Sequence, residues 1–307
     1  MTAGTTRPTG YADPAYAATL AHVGAPRLLP GSGGSILVRP IPGTAHADGR
    51  GAYPLFSCRD WSALAHDLDH VGGDLVSLVV VADPFGDCTL PQLRAAFPDR
   101  CVAFKEHFVV DLTRPPIAAA SRHHRRDAAR ALRRTTVSRV EDGADFGDAW
   151  CALYGGLVAQ RGIRGPAAFP SESLRLQLRL SGAVTFRASD AKDRLLGAAV
   201  WLVNGPVAYY HLAASTPEGH AAGASYALMA TSLEHFASSG LEFALLGAGA
   251  GATPVRDDGL IRFKEGWASG TRTAYLCGRV FDRSRYDALA GERHTPYFPA
   301  YRAGDEV

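Results

Sequence analysis

The segment Gly259-Leu-Ile-Arg-Phe-Lys-Glu-Gly266 places one lysine, Lys264, between a phenylalanine and a glycine near the end of the chain. A glycine-rich run, Gly247-Ala-Gly-Ala-Gly251, precedes it. Apolar runs predict strands over 243–246 and 273–280, so we expect Lys264 to lie on the connection between two strands. A cation fixed in this way can stabilise an oxyanion or bind a phosphate. The alternative is a surface lysine on a turn.

The composition is that of a globular protein. The chain has 307 residues, of which 47% are hydrophobic and 20% charged, with a formal net charge of +2. This charge is too small to indicate a polyanionic partner by itself. No apolar run is long enough to span a membrane, and the N-terminal residues lack the pattern of a secretory signal.

The cysteines point to a reducing compartment. Their number is odd and no pair has the CxxC spacing, which disfavours a disulfide framework or a zinc site. We therefore expect a cytoplasmic protein without a metal. The five cysteines are Cys58, Cys88, Cys101, Cys151 and Cys277.

A meander of strands is predicted in the second half of the chain. Alternating and continuous apolar runs predict strands over 184–188, 195–203 and 207–213. The dipeptide Asn204-Gly205 predicts a hairpin turn between the last two strands. A helix over 221–239 and the strand at 243–246 follow.

The first half of the chain contains a looser series of helices and strands in a similar order. We therefore predict an α/β (α+β) fold of two tandem domains with mixed, mostly antiparallel sheets. The predicted domains are 1–134, which ends in a basic helix, and 135–307, which carries the donor site.

A strongly basic helix is predicted over 115–134. Residues 122–134 contain six arginines and one aspartate, and like charges four apart on a helix repel by about 0.2–0.5 kcal/mol per pair. Because the arginine fork suits phosphate, this helix predicts a tRNA or phosphate site that includes Arg125, unless it is a solvated face. His123 and His124 are expected to be exposed. Helical spacing places four arginines on one face: Arg122, Arg126, Arg130 and Arg133.

A second candidate site lies where a predicted strand enters a helix. The segment His220-Ala-Ala-Gly-Ala-Ser225 starts the predicted helix 221–239. Backbone N–H groups at a helix start bind anions, so His220, Gly223 and Ser225 are candidate donor-binding residues. Ser225 places a side chain where a diphosphate would approach the backbone.

Two further residues are candidates for donor binding, Arg161 and Gly249. Arg161 ends a helix predicted over 146–160, and Gly162 is its expected C-cap. Arg161 would otherwise only complement the helix dipole. Gly249 lies in the glycine run, after which no helix is evident, so a dinucleotide fingerprint is disfavoured.

Together these residues resemble the GCN5-related acetyltransferase superfamily, and within it the Fem-like aminoacyl-tRNA-dependent transferases. The pyrophosphate loop of acetyltransferases reads Arg/Gln-x-x-Gly-x-Gly/Ala. Here His220 replaces the Arg/Gln and Ser225 replaces the last small residue. The Phe263-Lys-Glu-Gly266 segment matches a Phe-Lys-x-Gly motif. The resemblance covers residues 115–280, and the first 110 residues fit only by the order of their elements.

The resemblance implies transfer of an aminoacyl group from charged tRNA to an amine, without a metal or a cofactor. It places Lys264 at the reacting centre, with Phe263 beside it as a further candidate donor-binding residue. Tyr210, His211, water or the tRNA would take the proton, and Tyr210 is the second candidate catalytic residue. Because the chain has no long charged helical arm, the expected acceptor is a small metabolite or peptide, with a peptidoglycan precursor as a further option. Shorter Fem-like proteins also occur in antibiotic pathways.

Two alternatives stay open. An acyl-CoA-dependent N-acyltransferase would use the same fold and the same donor loop. A non-catalytic binding module would keep the fold with an inert Lys264. The basic helix and the imperfect pyrophosphate loop favour tRNA over coenzyme A.

Overall fold

The computed structural model describes residues 8–249 and 259–304. The strands are β1 Ala25–Leu28, β2 Ser35–Pro40, β3 Ala47–Gly51, β4 Leu75–Val81, β5 Arg100–Asp111, β6 Thr136–Arg139, β7 Ala183–Ser189, β8 Leu195–Asn204, β9 Val207–Ser215, β10 Phe243–Gly247 and β11 Gly270–Val280. The helices are α1 Pro14–Ala18, α2 Leu64–Val71, α3 Leu90–Ala96, α4 Pro116–Ala119, α5 Arg122–Leu132, α6 Gly143–Arg161, α7 Ser171–Gln177, α8 Pro217–Ala222, α9 Ala224–Ser238, α10 Gly259–Glu265 and α11 Arg283–Ala290.

The chain forms two compact units built from segments that are distant in sequence. Unit 1 comprises Met1–Lys105, Arg164–Ala168 and Thr273–Val307, and unit 2 comprises Glu106–Ile163 and Phe169–Arg272. Two of the boundaries fall inside β5 and β11. The predicted domains, 1–134 and 135–307, divide the chain once and by sequence order; their assigned roles stay a prediction.

The sheet of unit 2 contains one parallel pair in an otherwise antiparallel arrangement. Strands β6, β7, β8 and β9 form an antiparallel meander. The predicted Asn-Gly turn joins β8 to β9, with Gly205 at φ 54°. Strand β10 then pairs parallel with β9 and antiparallel with β5. Helices α8 and α9 form the crossover between the parallel strands, as a parallel pair requires.

Unit 1 follows the same plan. Strands β1, β2 and β3 form an antiparallel meander, and β4 pairs parallel with β3 after a crossover through α2. Strand β4 then pairs antiparallel with β11. The predicted fold class, an α/β fold of two similar halves with mixed, mostly antiparallel sheets, is confirmed.

Each unit has its own hydrophobic core. In unit 2, Trp201, Phe236 and Trp267 are completely or almost completely buried in it. In unit 1, Phe56 and Phe97 are almost completely buried in the main cluster. Burying one large apolar side chain contributes about 1.5–3 kcal/mol, so these cores stabilise the two units.

Two predicted helices are each divided into two. The helix predicted over 115–134 consists of α4 and α5, because Ala120 is extended at ψ 157° and Ser121 caps a new helix. The helix predicted over 221–239 consists of α8 and α9, because Gly223 is left-handed at φ 78°. Both breaks add a helix start that the apolar pattern does not show.

Candidate functional site

Lys264 is held against the end of β10. Its side chain is 8% exposed, and its Nζ donates a hydrogen bond to the Ala248 carbonyl at 2.6 Å. A Cβ on Gly247 would lie 3.3 Å from the same Nζ. The residue belongs to α10, which connects β10 to β11, as expected for a connection between strands. The alternative of a surface lysine on a turn is therefore wrong.

His124 joins α5 to α10. It is 6% exposed, its Nδ1 lies 2.9 Å from Ser121 Oγ, and its Nε2 lies 3.0 Å from the Phe263 carbonyl. A neutral imidazole satisfies both contacts by accepting at Nδ1 and donating from Nε2. Burial lowers the pKa of His124, which favours this neutral form. The expectation that His124 is exposed is wrong, because its side chain is turned into the α5–α10 contact.

Gly266 leaves room for the His124 ring. A Cβ at this position would lie 2.0 Å from His124 Cε1. The Ser121 N–H also donates to the Gly266 carbonyl at 2.8 Å. The glycine of the Phe-Lys-Glu-Gly segment thus has a packing role, since any larger residue would displace His124. Three aromatic rings surround the His124 ring with centroids at 5.2, 6.0 and 5.3 Å, those of Tyr226, Phe263 and Trp267.

The predicted arginine face of α5 is exposed. Arg126 and Arg130 lie 3.5 and 3.8 Å from the Asp127 carboxylate. His123, which is exposed as expected, lies 3.0 Å from the same carboxylate. Exposed pairs of this kind contribute about 0–1 kcal/mol. One carboxylate cannot neutralise the six arginines of residues 122–134, so the helix remains strongly basic.

Arg125 differs from the other arginines of α5. Its Nη1 donates hydrogen bonds of 2.8 Å to the carbonyls of Ala118 and Ala120. It therefore satisfies carbonyls at the end of α4, which a helix C-terminus leaves without partners. Its predicted phosphate contact stays a prediction.

The predicted donor loop lies at the junction of α8 and α9. His220 is exposed on α8, and Ser225 is partly buried in the first turn of α9. Gly223 is the N-cap of α9 and provides no side-chain cap for its N–H groups. A Cβ on Gly223 would lie 3.2 Å from the Cβ of Ala131 in α5. The basic helix therefore packs beside the start of α9.

The parallel strands of unit 2 separate near their carboxyl ends. Strands β9 and β10 pair at only three positions, and the last pair is Tyr209 with Leu245. Tyr210 is the first β9 residue beyond this pair, and Ala248, which binds Lys264, follows the end of β10. Ligands bind in α/β sheets where neighbouring strands separate at their carboxyl ends. The topology therefore brings Tyr210 and Lys264 to one edge of the sheet.

A bulge in β9 lies at this edge. The register with β8 skips His211, whose Nε2 lies 3.1 Å from Gln177 Oε1. Burial lowers the pKa of His211 to about 3 and raises the pKa of Tyr210. Both side chains are thus neutral at pH 7, and neither has the near-neutral pKa of an efficient general base. Tyr210 is better suited to donate a hydrogen bond.

The two other predicted donor-binding residues lie at ends of secondary structure. Arg161 is the exposed last residue of α6, and Gly162 caps that helix at φ 60°, as expected. Gly249 is partly buried just after β10. The end of the glycine run, Ala250 and Gly251, lies outside the described residues. The roles predicted for Arg161 and Gly249 stay predictions.

The contact through His124 was not expected from the sequence. A usable signal exists in the helical spacing, because His124, Ala128 and Ala131 lie at i, i+4 and i+7 and form the buried face of α5. The bulge at His211 has no comparable signal. Within residues 8–249 and 259–304, no group of three metal-binding side chains occurs. In the same ranges, no helix has the length and apolar character of a membrane span.

No family model and no curated protein sequence matches the chain. Solved structures match it over most of its length. FemX superposes with a TM-score of 0.60 at 15% identity, covering 83% of this chain and 86% of that one. The C-terminal domain of a putative lysylphosphatidylglycerol synthetase from Agrobacterium fabrum gives 0.60 at 17% identity, covering 88% of each chain. L-PGS from Bacillus licheniformis gives 0.57 at 15% identity, covering 87% and 91%.

These comparisons define a class of fold. The chain has the fold shared by FemX and the lysylphosphatidylglycerol synthetase domains. The predicted resemblance to Fem-like proteins is confirmed at the level of the fold.

Proposed function

We propose that the protein is an aminoacyltransferase that forms an amide bond. Its donor is an aminoacyl-tRNA, and its acceptor is an amine of a small metabolite, a peptide or a peptidoglycan precursor. The observation that carries this proposal is the direct packing of the basic helix α5 on the Lys264 helix through His124. Unit 2 therefore contains both a basic surface that suits a polyanion and a buried cation, Lys264.

The reaction needs no covalent intermediate on the protein. The acceptor nitrogen forms a bond to the ester carbonyl carbon, and the bond to the tRNA ribose oxygen breaks. That oxygen leaves with one proton while the nitrogen loses one. Holding the two reactants in line contributes up to about 7–11 kcal/mol, so no resident metal or cofactor is required by the proposal.

Lys264 would stabilise the oxyanion of the tetrahedral intermediate. Its Nζ donates a hydrogen bond to the Ala248 carbonyl, which fixes the ammonium group just after the end of β10. Because the side chain is buried, water screens its charge weakly. A preorganised donor of this kind is worth about 2.7–4 kcal/mol.

Tyr210 would orient the acceptor amine or the carbonyl by donating a hydrogen bond. Its neutral phenol suits this role because burial raises its pKa. The proton of the amine would then pass to water or to the leaving ribose oxygen. In this proposal His211 supports the β9 bulge and does not act as the base.

The arginine face of α5 would hold tRNA phosphates. Arg122, Arg126, Arg130 and Arg133 are exposed, and forked guanidinium groups bind phosphate oxygens in pairs. Arg161, His220, Gly223, Ser225 and Gly249 would bind the donor closer to the aminoacyl group. Such a donor and acceptor would place the reaction in the cytoplasm.

An acyl-CoA-dependent N-acyltransferase is the second candidate function. The observation that favours it is the left-handed Gly223 at the start of α9, where the N–H groups of a helix start could donate hydrogen bonds to a diphosphate. Ser225 and the absence of an arginine or glutamine at position 220 favour tRNA. Calorimetry with acetyl-CoA separates the two, and we expect no binding tighter than the millimolar range.

The experiment that tests the proposal supplies the two donors separately. The protein is incubated with total charged tRNA or with acetyl-CoA and a panel of amines, and the products are identified by mass spectrometry. With the wild type, we expect an aminoacyl amide when charged tRNA is the donor and no product when acetyl-CoA is the donor. With Lys264→Ala, we expect no product from either donor. Lys192→Ala is the matched control because Lys192 is an exposed lysine of the same unit. Transfer from acetyl-CoA alone would overturn the tRNA proposal, and no transfer from either would indicate a binding module.

A further inference from the structure

The face of the unit 1 sheet opposite its main core carries charged side chains. On β3, a Cβ on Gly49 would lie 2.9 Å from Leu78 Cδ1, and one on Gly51 would lie 3.0 Å from the Phe56 Cβ. These glycines therefore face the core. Because side chains alternate along a strand, Asp48 and Arg50 lie together on the other face.

Asp48 is already paired with two arginines. It is completely buried, and Arg302 binds both its oxygens, with Nε–Oδ2 at 2.8 Å and Nη2–Oδ1 at 3.0 Å. Arg39, opposite Asp48 on β2, adds a bond from Nε to Oδ1 at 3.2 Å. This single carboxylate thus compensates two arginines.

Arg50 lies beside this group without such compensation. In the part of the chain that the structure describes, its guanidinium forms no ion pair or hydrogen bond, and the residue is partly buried. Its charged and phenolic neighbours are Arg39, Asp48, Tyr53 and Tyr297. Burial, with a further contribution from the nearby Arg39, lowers the pKa of Arg50 to about 10.

Within residues 8–249 and 259–304, Arg39 and Arg50 place two positive charges beside one carboxylate, that of Asp48, and Arg39 donates to it only from Nε. A desolvated charge without a partner is unfavourable unless another group pairs with it. Tyr297, a neighbour of Arg50, is 37% exposed, and Arg39 and Arg50 are themselves partly exposed.

We propose that Arg50 and Arg39 bind an oxyanion group, the carboxylate or phosphate of a small molecule, on this face of unit 1. The forks of two neighbouring arginines provide the paired donors that such a group accepts. The phenols of Tyr53 and Tyr297 lie close enough to Arg50 to line the same site. This site is distinct from the Lys264 region and does not depend on the proposed function.

The test measures anion-dependent stabilisation of the full chain. Melting temperatures are recorded with increasing inorganic phosphate or acetate, at constant ionic strength set by sodium chloride. A ligand at 100 times its Kd stabilises a protein by about 2.7 kcal/mol, which gives a rise of several degrees. We expect this rise in the wild type with at least one anion, and the two series show whether a phosphate or a carboxylate is preferred.

Arg50→Met is the decisive variant. We expect it to lose the anion-dependent rise and to melt above the wild type when phosphate and acetate are absent, because a partly desolvated charge beside Arg39 is removed. Arg50→Lys keeps the charge without the fork, and we expect at least tenfold weaker binding. It also keeps the proposal testable if the methionine variant does not fold.

The matched control separates this site from the basic helix of unit 2. The double variant Arg126→Met with Arg130→Met should keep the full rise. The proposal is overturned if the wild type shows no rise with either anion, if Arg50→Met keeps the rise, or if only the double variant of α5 loses it.

Discussion

The contact between Gly266 and His124 tests how α10, the helix that carries Lys264, is positioned. In Gly266→Ala the new Cβ would lie 2.0 Å from His124 Cε1, whereas carbon atoms normally approach to about 3.5–4.0 Å. The ring must therefore move by roughly 1.5 Å or more. That movement breaks its contacts with Ser121 and with the Phe263 carbonyl.

The cost of this substitution follows from the contacts that are lost. Each hydrogen bond contributes about 0.5–1.5 kcal/mol, and overpacking a filled site costs about 1–3 kcal/mol. The expected loss is about 2–6 kcal/mol, a large part of the about 5–15 kcal/mol that stabilises a typical domain. Backbone strain adds nothing, because Gly266 is not among the glycines with positive φ.

The assay is urea unfolding followed by circular dichroism, applied to a double-mutant cycle with His124→Ala. In the His124→Ala background, Gly266→Ala should cost less than about 1 kcal/mol, since the space for the methyl group then exists; the coupling energy should exceed about 1.5 kcal/mol. Gly259→Ala is the matched control at the start of α10, because a Cβ there meets nothing within 4 Å. Additive effects of the two substitutions would refute the reasoning.

Three other predictions concern chemistry, anion binding and pH. Lys264→Ala should keep the far-UV spectrum and lower the single-turnover transfer rate by about two to three orders of magnitude, as expected for one oxyanion donor; Lys264→Arg should restore little, since a planar fork does not replace a compact ammonium. An unchanged rate would exclude the catalytic role. Replacing Arg126, Arg130 and Arg133 by Ala should reduce the slope of log affinity for tRNA against log salt by roughly one per phosphate contact, and an unchanged slope would show a merely solvated face. Because burial lowers the folded-state pKa of His211 from 6.5 to about 3, the unfolded chain binds more protons below pH 6.5, and stability should fall with decreasing pH by up to about 1.4 kcal/mol per unit. His211→Asn should flatten this dependence in urea unfolding between pH 7 and pH 4, and an equally steep profile would contradict the assigned cause.

Several elements were predictable from the sequence because their signals are local. The strands at 195–203 and 207–213 with their Asn-Gly turn follow from apolar runs and from the positive φ that glycine permits. The C-cap at Gly162 has the same basis, and the structure shows it at φ 60°. The prediction that Lys264 lies on the connection between two strands was also correct. In each case the deciding residues are neighbours in the chain.

Breaks within helices were not predictable in this way. The helix predicted over 115–134 divides at Ser121 because Ser121 binds both Gly266 and His124, which involves a partner distant in sequence. The burial of His124 in a basic helix has the same cause. From the sequence, a strongly charged helix is predicted to be exposed on all sides. That α10 covers the His124 face of α5 becomes known only from the tertiary structure.

The sequence by itself determined the elements, the basic face of α5 and the candidate lysine, since these depend on residue type and on spacing along the chain. Only the tertiary structure decided that Lys264 is buried against the Ala248 carbonyl, that His124 joins the two helices, and that Arg50 lies beside an Asp48 whose oxygens are already bound. The physical reason is that burial and the pairing of charges depend on which distant segments meet. Such meetings are set by strand register and helix packing, which no local pattern specifies.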